Sequence, residues 1–207
     1  MASPKKLGAP KKEELDEERL CEAVMVILQN VPGKELNIVL VNKALFYADL
    51  VALRDHGKTI TGASYLGYKQ GPVVANYKNC LVKALEQRGW ARQQVYLRSK
   101  RRPLAVKKPM DNYPKLTTKQ LSILSGIGKK IADETSTSIS ALSHHNLAWK
   151  IAYAKGSKIG RKPIKLNMML ALQQLPLDED AWLATPATDQ EIAACAAMDD
   201  EKGVAWL

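Results

Sequence analysis

The chain has 207 residues, of which 46% are hydrophobic and 25% charged, a balance typical of globular proteins and unlike that of disordered chains. It carries 31 Lys and Arg against 21 Asp and Glu, a formal net charge of +10, so phosphate, acidic protein surfaces and anionic lipid are plausible partners. Three well-separated cysteines argue against a disulfide framework or a zinc cluster. Its most apolar stretch is interrupted by polar residues and is too short to span a membrane. We therefore expect a cytoplasmic protein that needs no cofactor or metal and does not insert into a membrane.

Composition divides the chain into three parts. Residues 1–14 are small, charged and proline-containing, which predicts a flexible basic arm. Residues 15–160 show the apolar periodicity of a folded domain. Residues 161–207 predict a helical acidic extension, since residues 178–202 contain eight acidic side chains and one lysine, a net charge of −7. The remainder of the chain must then carry +17.

The first half of the domain alternates helices with an irregular segment. Apolar residues at steps of three and four predict a helix that starts at residue 15 and ends before Pro32. Residues 36–54 are apolar on nearly every face, which predicts a central helix covered on several sides. A short strand is predicted at 65–68, followed by a helix over 75–88 that Gly89 closes.

The second half begins with a hairpin. Apolar residues alternate over 95–106 about a turn at 99–103. A capping box at 117–120 and the Thr-Ser run at 135–138 predict the starts of two more helices, and 154–163 are predicted to be a basic linker. The expected fold is mainly α, a compact helical domain with a small hairpin or strand element.

The hairpin is the most basic part of the chain. Its cationic residues are Arg92, Arg98, Lys100, Arg101, Arg102, Lys107 and Lys108. A helix followed by such a hairpin is typical of winged-helix proteins, in which the wing contacts DNA phosphate. A DNA-binding transcriptional regulator that uses Arg98, Lys100, Arg101 and Arg102 is therefore one open interpretation. The other is a solvated edge, since charge on an edge strand blocks aggregation.

Catalytic patterns are weak. The chain contains neither a phosphate-binding glycine loop nor a Gly-x-Ser-x-Gly turn. His144 and His145 point about 100° apart on a helix and do not share a metal easily. Ser143 and His144 suggest a nucleophile and its base, but sequence neighbours rarely have the required geometry. We expect no enzymatic activity. Asp49, in an apolar helix, is expected to be partly buried and to hold a nearby loop.

Two stretches together resemble a known family. The first runs over residues 40–73 and the second over 139–159. Their shared positions are Lys43, Leu45, Tyr47, Ala48 and Asp49; Gly57, Ile60, Thr61 and Gly62; Gly71, Pro72 and Val73; then Leu142, Ser143, His144 and Trp149. In order and spacing these resemble the Panacea domain of SocA-like antitoxins from bacteria and their phages, over about residues 20–160.

The resemblance implies a binding function. Panacea domains neutralise small protein toxins encoded by neighbouring genes, usually by direct contact. One relative instead delivers its toxin to a protease, which makes an AAA+ protease a further possible partner. Antitoxins also often repress their own operon, so operator DNA is compatible with this assignment.

The residues of the motif divide into two groups. The expected structural group is Lys43, Tyr47, Asp49, Gly62, Ser143 and Trp149. The expected toxin-binding group is Tyr65, Tyr68, Lys69, Gly71, Pro72 and His144. Tyr65 and Tyr68 are expected to be exposed, because aromatic residues bury large areas at interfaces.

Overall fold

The computed structural model describes residues 15–96, 102–160, 162–173, 188–190 and 193. The helices are α1 (Glu17–Gln29), α2 (Ile38–His56), α3 (Ala84–Gln87), α4 (Thr118–Ile131), α5 (Ser136–His144), α6 (Leu147–Lys158) and α7 (Met168–Leu172). The strands are β1 (Glu35–Leu36), β2 (Tyr65–Tyr68), β3 (Gly71–Val74), β4 (Ala91–Gln93) and β5 (Leu104–Val106). The predicted class, mainly α with small strand elements, is confirmed.

Helix α2 is the centre of the core. It packs against α1, α4, α5, α7 and β3, and its residues Ile38 to Leu50 are buried without interruption. This explains why its sequence is apolar around the whole circumference. Asn37 caps its first turn through Val39 N–H, and Gly57 ends it in the left-handed conformation.

Local signals also locate the neighbouring helices. The capping box of α4 forms between Thr117 and Gln120, and Thr135 caps α5 through Ser138 N–H. Helix α1 lays one face on α4, where Gly128 approaches the backbone of Ile27 so closely that a Cβ would lie 2.9 Å from its oxygen. A side chain at position 128 would therefore separate the two helices.

Two small antiparallel sheets flank the helices. The first has the order β1-β5-β4, with Glu35 opposite Ala105 and Arg92 opposite Ala105 on its other side. The second is the hairpin β2-β3, in which Tyr65 pairs with Val74 and Tyr68 with Gly71. Residues 164–166 lie along the free edge of β2, through Gly67 N–H to Ile164 O at 2.8 Å and Leu166 N–H to Tyr65 O at 2.8 Å.

Three elements differ from the sequence prediction in their bounds. The helix expected over 75–88 starts as a π-helical segment, Lys78–Lys83, before continuing as α3. The basic hairpin forms, but its first strand is Ala91–Gln93 rather than the segment around Val95. The expected linker over 154–163 is helical as far as Lys158, because Gly156 lets α6 pack directly against the backbone at Lys162.

The predicted arm over 1–14 lies outside the described residues, as does most of the acidic part of the 161–207 extension. The division of the chain at residues 14 and 160 stays a prediction. Within the described ranges, no helix is both long and apolar enough to cross a membrane.

Candidate functional site: the β2-β3 hairpin and its supports

The turn between β2 and β3 is held by side chains from three helices. Lys43 of α2 donates from Nζ to Pro72 O at 3.0 Å. His144 of α5 places Nε2 2.9 Å from Lys69 O, and Trp149 of α6 donates from Nε1 to Tyr68 O at 2.8 Å. Because a carbonyl oxygen only accepts, His144 must carry its proton on Nε2. The carbonyl groups at the end of β2, in the turn and in β3 are thus held by three separate helices.

Close packing at Gly71 completes this arrangement. Its φ of +98° favours glycine. A Cβ at this position would touch Ser143 Oγ and lie 2.6 Å from Lys43 Nζ. Ser143 itself donates to Ser140 O at 2.8 Å. The lysine, the serine and the turn backbone therefore fill one fully buried contact.

An aromatic stack supports the same turn from the side. The rings of His144 and Trp149 are parallel within 9°, with centroids 3.9 Å apart, and Trp149 stacks on Tyr153 at 5.0 Å. Burial, followed by the positive charge of Lys43, lowers the pKa of His144 to about 4. At neutral pH the imidazole is therefore uncharged and acts as a flat, hydrogen-bonded support.

A second cluster fixes the loop that leads into the hairpin. The fully buried carboxylate of Asp49 accepts from Ile60 N–H at 2.8 Å and Thr61 N–H at 3.0 Å through Oδ1. Its Oδ2 accepts from the Thr61 hydroxyl at 2.5 Å and the Tyr65 hydroxyl at 2.8 Å. Burial raises the pKa of Asp49, while these hydrogen bonds act in the opposite direction. Asp49 holds a nearby loop, as the sequence predicted, and is more deeply buried than expected.

A comparison with known families identifies the arrangement. The family model described as "Antitoxin SocA-like, Panacea domain" matches residues 41–150. The chain belongs to this family. The match contains the hairpin, its three supports and Asp49. Comparison with the curated proteins and with the solved structures finds no match to this chain.

The residues expected to be structural in the Panacea domain are internal. Lys43, Asp49 and Ser143 are fully buried, and Tyr47 and Trp149 are each 6% exposed. Tyr47 packs edge-on against Phe46. Gly62 takes a φ of +67° in the loop that Asp49 holds, and its N–H donates to Thr59 Oγ1 at 3.2 Å. These side chains support the hairpin and the loop before it.

The residues expected to bind the toxin separate into two sets. Tyr68 and Lys69 are half-buried at the turn, and His144 lies half-buried beneath it. The predicted exposure of Tyr65 is wrong: it is fully buried, because its hydroxyl reaches Asp49 and its ring packs on Phe46. Gly71 and Pro72 are also buried, so they shape the turn from below.

The remaining candidates were a catalytic pair, a metal site and a DNA-binding site. Ser143 and His144 both direct their polar atoms at backbone carbonyls, of Ser140 and Lys69 respectively. The described ranges contain no group of three or more His, Cys, Asp or Glu side chains that could hold a metal ion. Of the expected DNA-contacting residues, Arg102 is exposed beside β5, whereas Arg98, Lys100 and Arg101 lie outside the described residues.

Two supports of the Panacea hairpin were not predicted from the sequence. Asn42, buried in α2, accepts from Val74 N–H at 2.9 Å through Oδ1. An amide in an apolar helix was the available signal. The other support is the segment 164–166 along β2. Its apolar residues Ile164 and Leu166 alternate with Lys165, but three residues are too few for a periodicity argument.

The neutral state of His144 predicts a specific acid sensitivity. A histidine whose pKa is lowered on folding stabilises the protein fully above its unfolded value of 6.5, and that contribution is lost as the pH falls toward about 4. We expect the free energy of unfolding to fall by up to about 3 kcal/mol over this interval because of His144. Urea denaturation at a series of pH values measures it.

The matched variant for this experiment is His144→Gln, which keeps a donor for Lys69 O but does not titrate. Its stability should be flatter between pH 6.5 and 4 than that of the wild type. Parallel curves for the two proteins would contradict the assignment of a neutral, buried His144.

Proposed function

We propose that this protein neutralises a protein toxin, encoded by a neighbouring gene, by binding it directly. The observation that supports this proposal most is that three hydrogen-bonding side chains of the family motif hold one hairpin. Lys43, His144 and Trp149 each make a hydrogen bond to the backbone of one hairpin. Polar side chains engaged in this way build a rigid surface, and rigid surfaces bind partners with a small loss of conformational entropy.

The contact surface is the hairpin turn, where Tyr68 and Lys69 are only half-buried. Gly71, Pro72 and His144 position the turn from beneath. Neutralisation requires no chemical step, because a bound antitoxin acts by mass action on the folded toxin. We therefore propose a non-enzymatic, cytoplasmic protein.

Co-expression tests this function. The adjacent small reading frame is induced alone and then together with the tagged full chain, and growth and copurification are scored. We expect growth arrest that this protein relieves, with the two proteins copurifying. Absence of toxicity, or toxicity that is not relieved, would contradict the proposal for that pair.

The same experiment distinguishes two other mechanisms. Relief that requires an AAA+ protease and lowers the amount of toxin would indicate an adaptor. Relief without copurification, accompanied by a lower transcript level, would indicate repression through operator DNA. The specific observation behind this second function is the basic hairpin, where Arg92, Arg102, Lys107 and Lys108 are all exposed.

A further inference from the structure

Helix α6 exposes an unusual outward face. Its buried side contains Ala148, Trp149, Ala152 and Gly156. Its opposite side follows the helical spacing of one stripe, and all members of that stripe are exposed: Leu147, Lys150, Ile151, Ala154, Lys155 and Lys158. Leu147 and Ile151 are 39% and 38% exposed. The outer stripe thus alternates aliphatic side chains with lysines.

The elements around this stripe also combine exposed apolar side chains with positive charge. Helix α6 packs against α7 and β2, and Met169 of α7 is 61% exposed. Residues 135–177, which include α5, α6 and α7, contain five lysines and one arginine but no Asp or Glu. Residues 56–85, which include the β2-β3 hairpin, also contain no acidic residue.

The acidic residues nearest to α6 in the sequence, Asp133 and Glu134, precede α5. Three acidic residues at the start of α1 form ion pairs: Asp16 with Arg19, Glu17 with Arg88 and Glu18 with Lys115. Within the described part of the chain, Lys150, Lys155 and Lys158 form no ion pair. Besides burial, the charges of Lys43 and Lys150 lower the pKa of nearby His144. Among the described residues, the lysines on the outward face of α6 therefore have no acidic partner.

We infer that the outward face of α6, next to the β2-β3 hairpin, is a docking surface for an acidic, partly aliphatic segment of the toxin. This inference rests on the proposed function and names the chemistry of the partner. Lysines around exposed aliphatic side chains complement an amphipathic helix whose apolar stripe is bordered by Asp and Glu. The charges increase the rate of association and select against basic partners, while Leu147 and Ile151 supply the apolar contact.

The composition of the face favours a protein over a nucleic acid. Nucleic-acid recognition favours the planar guanidinium of arginine, often with stacked aromatic residues, over lysine, which binds phosphate as a point charge. The described cations of this face are lysines, and the side chains between them are aliphatic. Of the five described arginines, Arg88, Arg92 and Arg102 lie around the other sheet, while Arg19 belongs to α1 and Arg54 to α2. An acidic protein surface fits the α6 face better.

Charge reversal on the full chain tests the inference. The variant replaces Lys150, Lys155 and Lys158 by Glu. The matched control replaces Lys107, Lys119 and Lys129 by Glu, which are also exposed but lie after β5 and on α4, so both variants change the net charge equally. Binding to the purified product of the adjacent reading frame is measured at low and high salt after circular dichroism has shown that each variant is folded.

We expect the dissociation constant to rise at least about tenfold for the α6 variant and less than about threefold for the control. Replacing Leu147 and Ile151 by Ser should also weaken binding, but without changing its salt dependence. Equal affinities for the α6 variant and the control would overturn the inference while leaving the proposed function intact. A wild-type chain that neither binds nor neutralises the toxin would instead contradict the proposed function.

Other occupants of the face give different results. Anionic vesicles of phosphatidylglycerol, or a short DNA duplex, that bind the wild type but not the α6 variant, with toxin binding unchanged, would overturn the assignment to a protein partner. A gain in toxin affinity when Asp178, Glu179 and Asp180 are replaced by amides, lost when Lys150, Lys155 and Lys158 are also replaced, would support it.

Discussion

Gly71→Ala is expected to destabilise the protein by about 2–5 kcal/mol, from the unfavourable left-handed backbone of an alanine and the overpacking that follows. The added methyl group would touch Ser143 Oγ and approach the Lys43 ammonium to 2.6 Å. Both neighbours are fully buried and are held by hydrogen bonds, Lys43 to Pro72 O and Ser143 to Ser140 O. Urea denaturation followed by circular dichroism measures the change in the free energy of unfolding.

Gly57→Ala is the matched control. Gly57 also has a positive φ, of +69°, but a Cβ there meets nothing within 4 Å. Gly57→Ala should lower the free energy of unfolding by about 1–2 kcal/mol, which is the effect of the left-handed backbone alone. The difference between the two variants isolates the contact of the turn with Lys43 and Ser143. If Gly71→Ala cost no more than Gly57→Ala, this contact would not be close-packed in solution.

The same substitution tests the function of the hairpin. A displaced Gly71 moves the carbonyl of Pro72 away from Lys43 and alters the turn that Tyr68 and Lys69 form. We therefore expect the folded fraction of Gly71→Ala to bind the toxin more weakly than the folded fraction of Gly57→Ala.

Asp49→Ala should be at least as destabilising, by about 3–5 kcal/mol, because it removes the buried acceptor of several hydrogen bonds. The N–H groups of Ile60 and Thr61 and the hydroxyls of Thr61 and Tyr65 would lose their partner together. The loop before β2 is expected to open, which hydrogen exchange at the Ile60 and Thr61 amides would detect as a loss of protection.

The conservative variant Asp49→Asn provides the comparison. Its Oδ1 can still accept from both N–H groups, and the two hydroxyls can turn to accept from its amide. A cost of about 1–2 kcal/mol is expected for this variant. If Asp49→Asn and Asp49→Ala both lowered the free energy of unfolding by the same small amount, other contacts would hold the loop.

The sequence predicted those elements whose signals are short-range. The apolar circumference of α2, the capping box at Thr117 and the helix start at the Thr-Ser run 135–138 were predicted correctly. Each of these depends on residues within one or two helical turns, so their side-chain types are sufficient. The family also follows from the order of motifs within residues 41–150.

Exposure was harder to predict than secondary structure. Tyr65 was expected at the surface and is buried, because its partner Asp49 lies sixteen residues earlier on another element. Successive side chains of a strand point to opposite faces, so alternation shows which residues share a face. It does not show which face the core covers, or that β2 also packs against α6. Only the packing of the hairpin decides which side chains reach solvent.

By itself the sequence determined the fold class, the starts of its principal helices, the structural role of Asp49 and the excess of positive charge in the body of the chain. The tertiary structure decided that Lys43, His144 and Trp149 meet at one turn, and that α6 presents its lysines and aliphatic residues outward. Those contacts join residues 29 to 81 positions apart. Their formation depends on the shape of the whole core, which no local pattern of residues specifies.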